Sequence, residues 1–252
     1  MIENEQPITQ NSMKKTTLFT LFLVAIFLIG GQDSYAQGRK KIRIWYRNAN
    51  QLVKKIQENP NAETLYLFRN RLDSLPEEIC QLKNLKTLVV SSNRLTYVPP
   101  VIGELTQLEK ISFKHNQLKS LPPEIGNLTN LKELYLCYNQ LDSLPDEICN
   151  LKNLETLELQ YNRLDHLPRN IGKLESLRFL NLNTNVLRNL PQSLADLTSL
   201  VELNVANAGG MLIIPDMRHC QLMERLYIDQ TTQFTVSFNP KTISHLQVIV
   251  QP

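Results

Sequence analysis

Ten residues, YNRLDHLPRN at 161–170, bring a phenol, a guanidinium, a carboxylate and an imidazole together. Tyr161, Asp165 and His166 are the types that acid–base catalysis uses, because an imidazole oriented by a carboxylate moves protons near neutral pH. The chain also has 4 cysteines and 4 histidines, the raw material of thiolate or metal chemistry. Their spacing argues against such chemistry. No CxxC pair occurs, the histidines are scattered, and only 8 glycines are present, too few and too dispersed for a phosphate-cradling loop. The expectation is therefore no catalytic residues, no metal and no cofactor.

What positions these residues is a repeat. Shifting YNRLDHLPRN back by 23 gives YNQLDSLPDE, and by four such steps gives RNRLDSLPEE. Asn70, Asn93, Asn116, Asn139, Asn162 and Asn185 recur at that step, as do Pro76, Pro99, Pro122, Pro145, Pro168 and Pro191. Asp165 then falls in the slot of Asp73, Thr96, Lys119, Asp142 and Arg188, and His166 in that of Ser74, Tyr97, Ser120, Ser143 and Asn189. Slots with such variable occupants are surface turns, so the apparent dyad is a product of the pattern.

The unit reads LxxLxLxxNxLxxLPxxIxxLxx. Its LxLxx stretch alternates, which makes a short strand with leucines on one face. The asparagine follows where the chain must turn, and its amide can serve neighbouring backbone groups. Proline then opens a short helical or irregular segment whose isoleucine or leucine returns to the core. A single unit cannot cover its own apolar face, so units must stack, and the tighter strand side must line the inside of a curve. LKELYLCYNQLDSLPDEICNLKN (131–153) closely resembles the consensus of the 23-residue class of the leucine-rich repeat family, in its bacterial exported form. The resemblance covers roughly 62–230. It implies an α/β leucine-rich repeat solenoid, a curved horseshoe with a concave parallel β-sheet and short helical or irregular convex segments, which acts in protein–protein interaction.

Seven units are expected over 62–222, the seventh with Ala208 in place of the asparagine, and a partial eighth unit and C-terminal cap over 223–252. Strand-like QFTVSFNP and SHLQVIVQP are expected to close the last unit. Residues 37–61 read as an N-terminal cap, with a helix through Leu52, Val53 and Ile56 and with Trp45 shielding the core. Arg39, Lys40, Lys41, Arg43 and Arg47 read as its solvated surface. Residues 1–36 read as a signal peptide: a start at Met13, the basic Lys14 and Lys15, a 12-residue apolar stretch from Leu18 to Ile29, and cleavage after Ala36. Twelve helical residues span ~18 Å, less than a bilayer core. The mature chain is thus exported to the periplasm, the cell surface or the medium, without a membrane span. Cleavage removes three acids and two lysines, which moves the net charge from +3 to +4. That is too mild to call for nucleic acid.

Outward side chains of the strands escape the packing constraint and form columns. One patch is Tyr66, Phe68, Arg69, Arg71 and Arg94. A second comprises Tyr135, Tyr138, Tyr161, Arg163 and Phe179, with Lys114, His115 and Glu158 in the same columns. Tyrosine and arginine dominate binding hot spots. The reading is a monomeric binding protein for a protein ligand; a surface adhesin that stacks glycans on these aromatics is the alternative. An enzyme would need a further domain, and the tail of about 231–252 is too short to form one. Cys80 and Cys149 share a slot three units apart, about 14 Å at strand spacing, beyond disulfide reach. Burial would account for both. Cys137 should face outward.

Overall fold

The computed structural model describes residues 40–44 and 51–251. The proposed signal peptide, Trp45, Arg39 and Arg47 lie outside them. Twelve strands occur among the described residues, most of them three residues long. They are β1 (Lys41–Arg43), β2 (Thr64–Tyr66), β3 (Thr87–Val89), β4 (Lys110–Ser112), β5 (Glu133–Tyr135), β6 (Thr156–Glu158), β7 (Phe179–Asn181), β8 (Glu202–Asn204), β9 (Ile213–Ile214), β10 (Arg225–Asp229), β11 (Gln233–Phe234) and β12 (Gln247–Gln251). Ten of them form one open parallel sheet in the order β1 to β8, then β10 and β12. Every pairing from Lys41↔Thr64 to Glu202↔Arg225 repeats at the 23-residue step, and the last, Arg225↔Gln247, is one residue shorter. The remaining two, β9 and β11, pair with each other.

The alternation LxL makes each strand: Leu134 and Leu136 are fully buried, while Glu133 and Tyr135 are half-buried on the other face. On the convex side each turn returns through a short 3-10 helix, such as Pro123–Asn127 or Asp146–Asn150. The preceding proline is extended, with φ −72° at Pro122, and presets the entry. Ile125 and Ile148 plug the core from this side. Successive turns approach so closely here that a Cβ on Gly126 would lie 2.5 Å from the Glu147 carbonyl oxygen. Cys149 occupies the equivalent slot and is buried; Cys80, in the same slot, is only half-buried.

Asparagines link the turns. Asn162 Nδ2 donates to the carbonyls of Leu136, one turn back, at 3.0 Å and of Leu159 at 2.8 Å, and its Oδ1 accepts from Leu141 N at 3.0 Å. Asn93, Asn116, Asn139 and Asn185 repeat this pattern. Asn70 donates to Ile44 O at 2.7 Å. Each amide therefore satisfies backbone groups that the bend would otherwise bury unpaired.

The N-terminal end adds to the sequence reading: a strand, β1, pairs in register with β2, and Ile42 and Ile44 occupy leucine slots. Its helix α1 (Leu52–Glu58) buries Leu52 and Ile56. The alternation of KIRI was too short to reveal that rung. At the other end β12 extends the sheet, and the tail closes the last unit as expected, with Phe238 and Ile243 buried in the core and Phe234 and Leu246 packed against it. Val248 and Val250 align with the buried Leu226 and Ile228 but are 38% and 57% exposed.

Candidate functional site

The residue before each ladder asparagine, and Asn207 before Ala208 in the equivalent slot, adopts left-handed backbone: Arg69, Ser92, His115, Tyr138, Tyr161, Thr184 and Asn207 have φ from 53° to 58°. Only glycine enters this region without steric cost. The ladder holds it in place: Tyr161 donates its N–H to Asn183 O at 3.0 Å, and its carbonyl accepts from Asn139 N at 3.2 Å. Three aromatic side chains in this column therefore leave the backbone in one direction on adjacent rungs. His115 stacks on Tyr138 at 4.3 Å between centroids and 15° between planes, and Tyr138 stacks on Tyr161 at 4.4 Å and 9°. Tyr138 and Tyr161 remain 42% and 44% exposed.

Beside this stack, the Tyr135 hydroxyl donates to Glu133 Oε2 at 2.7 Å, and Lys110 Nζ bonds the same oxygen. Lys114 Nζ lies 4.2 Å from the Tyr135 ring centroid and Lys110 Nζ 5.0 Å, so two ammonium groups attend one ring. Burial, then the Glu133 hydrogen bond, push the Tyr135 phenol far above its ordinary range. Burial opposes ionisation of Glu133, but the bonds from Lys110 and Tyr135 outweigh it and hold the carboxyl below the usual range. This cluster anchors the ring of Tyr135 on the outer face of the sheet.

Cys137 keeps its place in the outward column and lies outside the core cluster, yet it is only 2% exposed. A small side chain between the longer Lys114 and Gln160 of the adjoining rungs sinks below their surface, as Ser91 and Ala206 do in the same column. Burial raises its thiol pKa and raises those of Cys149 and Cys220 to about 11. All four cysteines are free.

In the N-terminal patch, Arg43 lies 5.6 Å over Tyr66 and Arg69 5.0 Å over Phe68, with Arg71 and Arg94 exposed beside them. Phe179, at the start of β7, carries Arg178 at 5.5 Å. It stands at the opposite end of the strands from the ring stack, so the second patch divides. Arg163 is exposed one residue past the ladder, and Glu158 is half-buried at the end of β6. His166 Nδ1 contacts Asp165, which also meets Arg188 Nη2 at 3.3 Å. Among the described residues no three His, Cys, Asp or Glu side chains converge as a metal site would require.

Two features escaped the column reading. Lys40, Glu63, Lys86, Glu109, Lys132, Glu155 and Arg178 alternate in sign at the repeat step; the Lys40–Glu63 and Glu109–Lys132 pairs both close at 2.9 Å. At the C-terminal end, the Asp229 side chain takes the place of the backbone carbonyl that accepts the equivalent N–H on earlier rungs. Its carboxylate accepts from the backbone N–H of Asn207 at 2.8 Å, of Thr231 at 2.8 Å and of Thr232 at 3.0 Å. Asp229 lines a cleft of about 630 Å³ together with Asn185, Gly209 and Gly210. The carboxylate is consumed by these bonds.

A stack of short, near-identical turns, with an open parallel sheet facing out of its inner curve, is the architecture of a recognition scaffold. The chain belongs to the leucine-rich repeat family: the model of the leucine-rich repeat region matches residues 47–142 and 123–249. The fold commonly mediates protein–protein recognition. Among solved structures, the chain is similar to a leucine-rich repeat protein of Leptospira interrogans, at 30% identity and TM-score 0.65, covering 84% of this chain and 59% of that one. It is similar to the plant peptide hormone receptor RGFR1, solved in complex with RGF2, at 31% identity and TM-score 0.63, covering 77% and 33%. It is also similar to YopM, a leucine-rich effector protein of Yersinia pestis, at 25% identity and TM-score 0.61, covering 81% and 51%. The chain thus spans between a third and three-fifths of the length of these relatives. No curated protein matches the sequence significantly. Among the described residues no helix is long and apolar enough to cross a membrane.

Proposed function

We propose that this protein is an exported, non-catalytic recognition module that binds a protein ligand across the concave sheet, centred on Tyr135, Tyr138 and Tyr161. The carrying observation is the His115–Tyr138–Tyr161 stack. Exposed rings on a left-handed backbone cost stability at each position, and the ladder fixes them in one orientation. Rigid aromatics presented this way lose little entropy when a partner covers them. The hormone-bound plant receptor supports a polypeptide ligand. Export rests on the basic and apolar N-terminal segment with its Ser34-Tyr35-Ala36 site.

A protein ligand is favoured over a glycan by the same stack. Sugars pack on free aromatic faces, but Tyr138 lies between His115 and Tyr161, so both of its faces are occupied. Stacking room is left only on the outer faces of His115 and Tyr161, and the rest of what the stack offers is edges and hydroxyls, which suit peptide groups. The decisive experiment is cross-linking of the protein in its native envelope or medium, followed by mass spectrometry. Cross-links from the concave columns to one polypeptide are expected; cross-links confined to the convex side would overturn the reading.

A further inference from the structure

Charge on the concave face is sorted along the solenoid. On rungs β1 to β4 the outward columns carry Lys41, Arg43, Arg69, Arg71, Arg94, Lys110 and Lys114, and no acid. Acids enter these columns only from β5 onward, as Glu133, Glu158 and Glu202. The nearest acids at the strand starts, Glu63 and Glu109, are held by Lys40 and Lys132.

Ion pairs are commoner elsewhere: Lys83 to Glu104, Lys152 to Glu175 and Arg225 to Glu202 lie between 2.7 and 2.9 Å. Of the concave cations on β1 to β4 only Lys110 has an ion-pair partner among the described residues, Glu133 at 2.5 Å. Like charges gathered on adjacent rungs repel one another, and a concave surface concentrates the resulting field.

We propose that the polypeptide bound by this face carries an acidic stretch that lies over β1 to β4 and leads into aromatic or proline residues that meet the His115–Tyr138–Tyr161 stack. The inference rests on the protein-recognition reading above and specifies the ligand's chemistry. Three rung spacings of ~4.8 Å give about 14 Å, which an extended chain at ~3.3 Å per residue crosses in four or five residues. Arg69 and Arg71 flank one ladder asparagine and present planar forks suited to carboxylates. A uniform polyanion, such as nucleic acid or a sulfated glycan, fits less well. Continued along the face, it would meet Glu133 and Glu158, whereas a polypeptide can change its character there.

The test uses the secreted full chain and a fluorescein-labelled peptide of five glutamates followed by Gly-Tyr-Pro-Tyr. Comparison probes are the same peptide with five lysines, a thymidine oligonucleotide and a heparin oligosaccharide. Fluorescence anisotropy should show the glutamate peptide bound at least about tenfold more tightly than the lysine peptide, with affinity falling as salt rises. The variant Arg43→Gln/Arg69→Gln/Arg71→Gln/Arg94→Gln should retain the wild-type circular dichroism spectrum and lose about tenfold in affinity. Equal binding of the two peptides, an unaffected variant, or tighter binding of the oligonucleotide or heparin fragment would each overturn the proposal. The native partner separates this failure from that of the broader reading. A polypeptide that cross-links to the concave face but binds the four-site variant unchanged sinks only the acidic ligand. One that cross-links only to the convex side sinks both.

Discussion

Tyr138 and Tyr161, 23 residues apart, lie ring on ring at 4.4 Å with 9° between their planes. Each is fixed by a backbone with φ of 57° that its own side chain disfavours. The pair joins a structural device to an exposed surface, and the two roles can be measured apart. Tyr138→Ala/Tyr161→Ala should leave the circular dichroism spectrum intact and weaken partner binding by more than about tenfold. Unchanged affinity in a pull-down titration removes the stack from the binding surface.

The left-handed backbone makes a second comparison. Tyr138→Ala and Tyr138→Gly both delete the ring, but only glycine relieves the dihedral. The glycine variant should be the more stable of the two by up to about 1 kcal/mol, despite its greater entropy loss on folding. Urea denaturation of both variants reads this directly. If alanine matches or exceeds glycine, the position is not strained.

Asn162→Ala removes two donors and one acceptor from the inside of the bend. The carbonyls of Leu136 and Leu159 and the N–H of Leu141 would be left buried without partners. The expected cost is about 3 kcal/mol or more, because the desolvation of each orphaned group is then uncompensated. Denaturant midpoints test it, with an exposed substitution such as Gln117→Ala as the reference.

Asp229 gives the pH dependence. Burial opposes its charge, but hydrogen bonds from Thr231, Asn207 and Thr232 hold its carboxyl below the ordinary value. A carboxyl depressed on folding stabilises fully above its unfolded pKa and loses that contribution as pH falls through the folded value. Stability should therefore decline from about pH 5 downward. Asp229→Asn should flatten that decline and cost about 1–3 kcal/mol at neutral pH, since its NH₂ group would face donors. An unchanged acid limb in thermal melts would show that the charge on Asp229 plays no part.

Cysteine alkylation checks the packing. Iodoacetamide should modify the half-buried Cys80 in the native protein, while Cys137, Cys149 and Cys220 react only after unfolding. Rapid native labelling of Cys149 would mean that the convex turns open.

Most of the fold was legible because a repeat multiplies weak signals. One LxL is an unremarkable alternation; seven at a constant step fix strand, register and inward face together. The column arithmetic likewise put Tyr138 beside Tyr161 before any coordinates. What it could not reach depends on quantities the repeat does not encode. Burial of Cys137 follows from the sizes of Lys114 and Gln160 on neighbouring rungs. The β1 rung carries its pattern in four residues, too few to stand out. Asp229 puts a side chain where other rungs use a backbone carbonyl, so no alignment of slots points to it. The separation of Phe179 from the ring stack follows from its position at the opposite end of the strand, which a list of outward residues hides.

The alternating charges that begin at Lys40 and Glu63 impose a parity on the molecule. Removing one turn, such as the one that carries Glu109, would bring Lys86 against Lys132 and set two ammonium groups face to face. Removing two neighbouring turns would place Lys86 against Glu155 and restore attraction. Shortened or lengthened versions of this protein should therefore tolerate even changes in turn number better than odd ones, although every turn has nearly the same core.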